Sequence, residues 1–276
     1  MKAVRFPLGD VEIIAIQDSE LTPLARDFFP SLDPGDESLL AREAERGGRL
    51  RFPVTVYVVR SDEGVTLVDA GVGPRPFVDA PPGVLLDVLE ELGLASDRVD
   101  RVLFTHLHPD HIGGSVDAGG GPAFPNAVHT VVRGEWEFWS DPRWRAPEWS
   151  WVGDALDGSL RPIADGSAEL ALVESGTRLS RRLGLVPLQG HTPDHTGLAI
   201  EGTGSAALFI GDAMHHRLQC RHPHWTFRHD ADPARAIETR SRLIRTAERD
   251  RAVLFGAHFS FPGVLEPAGR AGVDRA

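Results

Sequence analysis

The 276 residues carry 40 acidic and 29 basic side chains, a formal net charge of -11, and 41% of them are hydrophobic. The apolar share supplies a large core and the length leaves room for one or two domains, while the acidic surface repels phosphate backbones, so no nucleic-acid partner is expected. The single cysteine, Cys220, excludes an internal disulfide and a thiolate-rich zinc site; with no signal-peptide core and no run of ~18 apolar residues, the expectation is a soluble cytoplasmic protein with no membrane partner.

In chain order, residues 11–17 read as a strand, and residues 18–52 as an irregular stretch holding Phe28 and Phe29, with a short helix around 37–46. The β-branched runs 53–60 and 65–69 flank Ser61-Asp62-Glu63-Gly64, which predicts a hairpin. Residues 84–92 fit a short amphipathic helix stopped by Gly93. A strand over 102–105 runs into a histidine cluster, followed by a strand at 127–132 and a helix at 133–140. Further strands are predicted at 184–188, 197–201, 206–210 and 253–255. The longest helix is predicted over 232–249, opened by Asp232 as cap and Pro233 at its first position. Strands dominate both halves and helices interrupt each, which favours a layered α/β sandwich with helices outside two packed sheets. With no linker in evidence, residues 1–276 are expected to form one domain, with a tryptophan-rich insertion around 134–165.

The 12 histidines are clustered. His106, His108, Asp110 and His111 follow an apolar strand directly. In extended chain His106 and His108 point to one side. Pro109 then helps the chain turn, so that Asp110 and His111 approach from another direction, and Gly113 and Gly114 permit close backbone packing beyond. Imidazole nitrogens and carboxylate oxygens form a borderline-to-hard donor set suited to Zn²⁺ and similar ions. The alternative for any one histidine is a satisfied polar side chain; four such residues at this spacing favour a metal.

His106-Leu107-His108-Pro109-Asp110-His111 resembles the signature of the metallo-β-lactamase superfamily. Asp69-Ala70-Gly71, Gly190-His191-Thr192-Pro193-Asp194-His195, Gly211-Asp212-Ala213 and Gly256-Ala257-His258 resemble that family's other motifs, in the expected order. The resemblance implies an αββα sandwich and two zinc ions, with iron, manganese or cobalt in some relatives. It implies that His106, His108 and His191 bind one ion, that Asp110, His111 and His258 bind the other, and that Asp212 bridges. Asp69 and His195 would support ligands rather than bind metal. Cys220 has no role in this chemistry, and His216, His222, His224 and His229 are read as surface or supporting residues.

What the resemblance implies chemically is a hydroxide shared between two metals attacking a carboxylic ester or lactone, or a phosphotriester, with Asp110 orienting it and relaying a proton. The aspartate at 212 and the stretch 211–216 are similar to the branch containing methyl-parathion hydrolase and related lactonases. Quorum-quenching lactonases place tyrosine three residues past the bridging aspartate; here His215 stands there, either as a hydrogen-bond donor to a substrate oxygen or as a structural residue. Trp136, Trp139, Trp144, Trp149 and Trp151 fall close together. They form either an apolar wall for a hydrophobic small molecule, with Trp136, Trp139, Phe28 and Phe29 as candidate contacts, or a local core or homodimer interface. Two other activities share much of this motif, a mononuclear iron dioxygenase acting on persulfide and a thioesterase of the glyoxalase II type.

Overall fold

The computed structural model describes residues 2–266 except 46, 77–79, 148–149 and 203–204; Trp149 lies outside the described residues. The chain runs β1 (Ala3–Leu8), β2 (Val11–Leu21), α1 (Ala25–Phe28), α2 (Pro34–Ala41), β3 (Phe52–Ser61), β4 (Gly64–Val68), α3 (Leu85–Glu91), β5 (Arg101–Leu103) and α4 (Pro109–Ile112). It continues through β6 (Val128–Val132), α5 (Arg133–Ser140), α6 (Ser150–Ser159), β7 (Glu169–Val173), β8 (Leu183–Pro187), β9 (Thr196–Gly202), β10 (Ser205–Gly211), α7 (Pro233–Asp250), β11 (Val253–Gly256) and β12 (Val264–Leu265).

Strands β1 to β7 form one sheet in sequence order, antiparallel as far as β4 and parallel from β4 to β7. The second sheet has the order β12-β11-β10-β9-β8, with β10 and β11 parallel. The central strands are apolar on both faces, because each sheet is covered twice. Along β2, Ile13 and Ala15 point between the sheets, while Ile14 and Ile16 point outward under the helices. Along β10, Ala207 and Phe209 face the inter-sheet core, and Leu208 and Ile210 pack against Leu243 and Ala247 of α7. Leu85, Val88 and Leu89 of α3 and Val152, Ala155 and Leu156 of α6 cover the other outer face. The result is the expected αββα sandwich. Tyr57 ties its halves together, its hydroxyl donating to Gly256 O at 2.8 Å.

The predicted hairpin forms as β3–β4, and α7 opens as expected, with the Asp232 carboxylate accepting from Arg235 N. Helix α2 begins earlier than 37, because Asp33 caps it and Pro34 supplies its first turn. Several elements escape the sequence reading, among them helix α6 and two strands. The edge strand β1 pairs with β2 through a tight turn at Gly9-Asp10, and β7 is half-buried with little alternation. No helix among the described residues is long and apolar enough to cross a membrane.

Candidate metal centre

The loop after β5 forms as its composition requires. The chain bends at Thr105, His108 sits just before α4 with extended φ -72° and ψ 154°, and Pro109 opens that single turn. The turn swings Asp110 and His111 back toward His106. Glycine is needed beyond it, since a Cβ on Gly113 would lie 2.1 Å from Val72 O and one on Gly114 2.0 Å from Ala70 O. Asp69, at the end of β4, adopts a left-handed φ of 61°, a conformation Asp tolerates better than most residues. From there its carboxylate accepts from Thr105 N at 2.8 Å, Thr105 Oγ1 at 2.9 Å and His111 Nδ1 at 2.8 Å.

Two donor clusters result. His106 Nε2 and His191 Nε2 each lie 3.0 Å from His108 Nδ1, and these three with Asp212 form one group. Tetrahedral ligands at ~2.0 Å from a shared ion would be about 3.3 Å apart. Asp110, His111 and His258 form the second group. Asp212 lies between them. Its Oδ1 is 3.3 Å from His111 Nε2 and 3.2 Å from His258 Nε2; its Oδ2 is 3.4 Å from His191 Nε2 and 3.7 Å from His106 Nε2.

The donors fit divalent ions on two grounds. His111 Nε2 and Asp212 Oδ1 are buried with no hydrogen-bond partner among the described residues, a costly state for polar atoms unless something else engages them. In addition, the ring nitrogens turned away from the clusters are occupied. His258 Nδ1 donates to Pro53 O at 2.8 Å, His111 Nδ1 to Asp69, and His191 Nδ1 to Asp230 Oδ1 at 3.3 Å; His106 Nδ1 lies 3.1 Å from Thr105 Oγ1. Such contacts set the tautomer that leaves the inward nitrogen free to ligate.

The electrostatics agree. Burial and the neighbouring imidazole of His111 hold His106 well below the usual histidine range, and burial with His191 does the same to His108, so both rings are neutral donors. Burial works to raise Asp212, but His258, His111, His215 and His106 hold it well below the carboxylate range. Burial likewise opposes charge on His111, yet Asp212, Asp69 and Asp110 lift it well above its ordinary value. This pocket concentrates negative potential where cations would bind.

His195 stands behind the bridge, its Nε2 accepting from Asp212 N at 3.0 Å. A Cβ on Gly211 would fall 2.7 Å from that nitrogen. His215 is fully buried, with Nε2 3.2 Å from Asp212 Oδ2 and its ring stacked on Phe227 at 3.5 Å. Burial lowers it to about 3, so it is neutral near pH 7.

The aromatic candidates divide. Phe28 is half-buried, 4.9 Å from Phe227 and 6.3 Å from His229 between ring centroids. Phe29 is buried in a small core with Trp225 and Phe227. Trp139 is buried 5.3 Å from His108, while the half-buried Trp151 lies 6.0 Å from His108 and 5.9 Å from His229. Trp136 lies under the Arg161 guanidinium, packed against the outer core.

Sequence reasoning missed three supports. Asp230 holds His191 and meets the fully buried Arg240, with Oδ2 3.3 Å from its Nη1. Arg240 shares the stripe of α7 with Ala236, Leu243 and Ala247, and an arginine on an apolar stripe is the signal that could have exposed the pair. Glu135, also buried, accepts from Leu107 N at 3.2 Å, Trp139 Nε1 at 2.6 Å and Thr192 Oγ1 at 2.8 Å, joining the His106–His108 loop to the His191 loop.

Residues 49–258 match the family model of the metallo-beta-lactamase superfamily. A probable metallo-hydrolase of Mycobacterium bovis is 29% identical over 188 residues, which is 59% of this chain and 57% of that protein, so the chain spans little more than half of this relative's length. An N-acyl homoserine lactonase of Bacillus thuringiensis is 24% identical over 244 residues, covering 81% of this chain and 88% of that one. Among solved structures, the hydrolase AbOPH of the beta lactamase superfamily superposes with a TM-score of 0.87 at 24% identity, covering 96% of this chain and 92% of its own. AidC, a dizinc quorum-quenching lactonase in complex with a product N-hexanoyl-L-homoserine, superposes at 0.85 with 22% identity, covering 98% of this chain and 95% of its own. The five motifs, the two clusters about Asp212 and the match over most of the chain agree: this protein belongs to the metallo-beta-lactamase superfamily.

Proposed function

We propose that the protein is a two-metal hydrolase of carboxylic esters or lactones with hydrophobic substituents. The observation that carries this reading is Asp212, whose two oxygens face different histidine clusters, as a bridging carboxylate must. Zinc is the ion the nitrogen-rich donor set favours. His106, His108 and His191 would hold one ion and Asp110, His111 and His258 the other, and the pair would supply Lewis acidity for activating water and a substrate carbonyl near neutral pH.

The chain's own residues do the rest. Asp110 is the most exposed carboxylate of the clusters, its side chain 15% accessible, so it is the one that orients the attacking water and passes its proton to the leaving group. His215, neutral and fixed by Phe227, donates a hydrogen bond to the substrate oxygen that gains charge. Phe28, Trp151, Phe227 and His229 flank this space, exclude water and favour an apolar acyl or alkyl group. The lactonase relatives support the ester and lactone class.

The test is metal quantification on purified protein beside a panel of esters, lactones, thioesters and phosphotriesters. Two zinc equivalents in the central site, with turnover of an apolar ester or lactone, are expected. One iron per chain with oxidation of a persulfide, or turnover of thioesters alone, would overturn the reading.

A further inference from the structure

Outside the central site, Asp36, His222 and His224 bring one carboxylate oxygen and two imidazole nitrogens within 4.8 Å of one another. Asp36 comes from α2, and the histidines from the segment after β10, far along the chain. Asp36 Oδ1 lies 3.4 Å from His222 Nδ1, and Oδ2 lies 3.1 Å from His224 Nε2. We infer that these three residues form an accessory site for a borderline divalent cation such as Zn²⁺, which staples α2 to the 222–227 segment.

Three features distinguish this cluster from a chance meeting of surface charges. The first is the donor set: two histidines and one carboxylate suit zinc, nickel or copper. His222-Pro223-His224 sits on a turn, and that turn presents both imidazoles to Asp36.

The second is preorganisation. Trp225 Nε1 donates to Asp36 Oδ2 at 2.7 Å, and the Trp225 ring stacks on His222 with centroids 5.0 Å apart and planes 25° from parallel. One tryptophan thus orients two of the three donors. The backbone is fixed as well: Trp225 N donates to His222 O at 3.0 Å, and Asp36 N donates to the Asp33 carboxylate at 2.8 Å. A hydrogen-bonded second layer of this kind raises the affinity of a metal site.

The third is the gradient of exposure. The side chains of Asp36, His222 and His224 are 14%, 28% and 62% accessible. The fixed donors lie inside and the adjustable one outside, so an ion enters from solvent, recruits His224 and keeps water on its remaining positions.

The staple has a consequence for the pocket. Trp225 packs with Phe29 and Phe227 in the small core under the aromatic wall, and Phe227 stacks on His215. Gln219 joins the same parts, donating to Trp225 O at 3.0 Å while its Oε1 accepts from His215 N at 2.7 Å. A cation at Asp36 therefore steadies the segment that carries His215 and Phe227, without touching the central ligands.

The experiment is equilibrium dialysis of untagged protein against buffered Zn²⁺ at pH 7.5, with bound metal measured for the wild type and for His224→Ala and His222→Gln. The wild type should bind one equivalent more than either variant, whatever number the central site itself holds. The extra equivalent should be the weaker one and should raise the wild-type Tm alone. Turnover in excess Zn²⁺ should persist in both variants, which shows that they fold and keep the central site. Equal zinc content in wild type and variants, with equal Tm in excess Zn²⁺, overturns the inference. Because the readout is a difference of one equivalent, it stands apart from the reading of the central site as a two-metal hydrolase.

Discussion

The metal side of the pocket and its aromatic wall are built on opposite principles. On the metal side, His111, His191 and His258 are each held at the outer nitrogen by a carboxylate or carbonyl, and the cluster hangs from strand ends of both sheets. On the wall, Phe28, Trp151 and His229 come from separate segments, are half-buried, and meet through ring faces and edges with centroids about 6 Å apart. Directional contacts over-determine the first region, whereas ring packing tolerates repacking in the second. The chain thus fixes the geometry of its metal-binding residues and leaves the wall free to vary.

The hardest test of the metal side is Asp212→Ala. It removes the one carboxylate that, among the described residues, faces both clusters, and leaves five surrounding imidazoles without their shared counter-charge. Turnover should fall by on the order of 10³-fold or more, beyond the loss of a single oxyanion-stabilising donor, with metal content reduced in the same preparation. Near-wild-type kcat would show that the two clusters work independently and would break the contrast.

That cluster was the most legible part of the sequence. His106, His108, Asp110 and His111 are neighbours in the chain, and their spacing alone places them on a strand-end turn. The hairpin β3–β4 and helix α7 were equally plain, since apolar runs, turn residues and a cap all agree there. The wall was not legible, because local pattern carries no information about which of several tryptophans faces inward. Trp136 and Trp151 look equivalent in sequence, yet one lies beneath Arg161 and the other beside His108 and His229. Asp230 was invisible for a related reason: its partners His191 and Arg240 are brought to it only by the packing of α7 across the second sheet.

Asp230→Asn sharpens the comparison from behind the ligands. Burial works to raise this carboxyl, but His191, His215 and Arg240 bring it down to about 2 from an ordinary 3.8. A depressed carboxylate contributes stability above its unfolded value, and that contribution disappears as pH falls from about 4 through 2; the shift corresponds to about 2 kcal/mol. Burial lowers Arg240 more than Asp230 raises it, yet a guanidinium stays charged, so the variant strands a buried cation. The expected destabilisation is about 3–5 kcal/mol by denaturant titration, with metal affinity reduced by about 10–100-fold as His191 loses its partner. The acid limb of the stability profile should flatten at the same time. Loss of stability with unchanged metal affinity would mean that Asp230 serves the core and not the ligand.

Glu135→Ala should cost less. It leaves Leu107 N, Trp139 Nε1 and Thr192 Oγ1 without their acceptor, a penalty of about 1–3 kcal/mol for each donor that water entering the vacated space fails to reach. Since the carboxyl joins the loops carrying His108 and His191, metal should also dissociate faster. Glu135→Gln keeps one acceptor oxygen and should recover most of both losses. If Gln proves no better than Ala, charge rather than hydrogen bonding is what this buried residue contributes.

On the wall, the smallest effect and the most informative one comes from Trp151→Ala. The ring stands beside His108 and His229 but makes no hydrogen bond to a ligand, so metal content should be nearly unchanged, while Tm falls modestly with the packing lost against the core. Removing apolar pocket surface costs about 1–3 kcal/mol of discrimination between substrates that differ in apolar bulk. Compared on a short and a long acyl ester, the variant should therefore lose kcat/KM for the long substrate by about tenfold while the short one is spared. An equal fall for both substrates would place Trp151 with the residues that hold His108, and the wall would then belong to the same rigid machinery as the metal side.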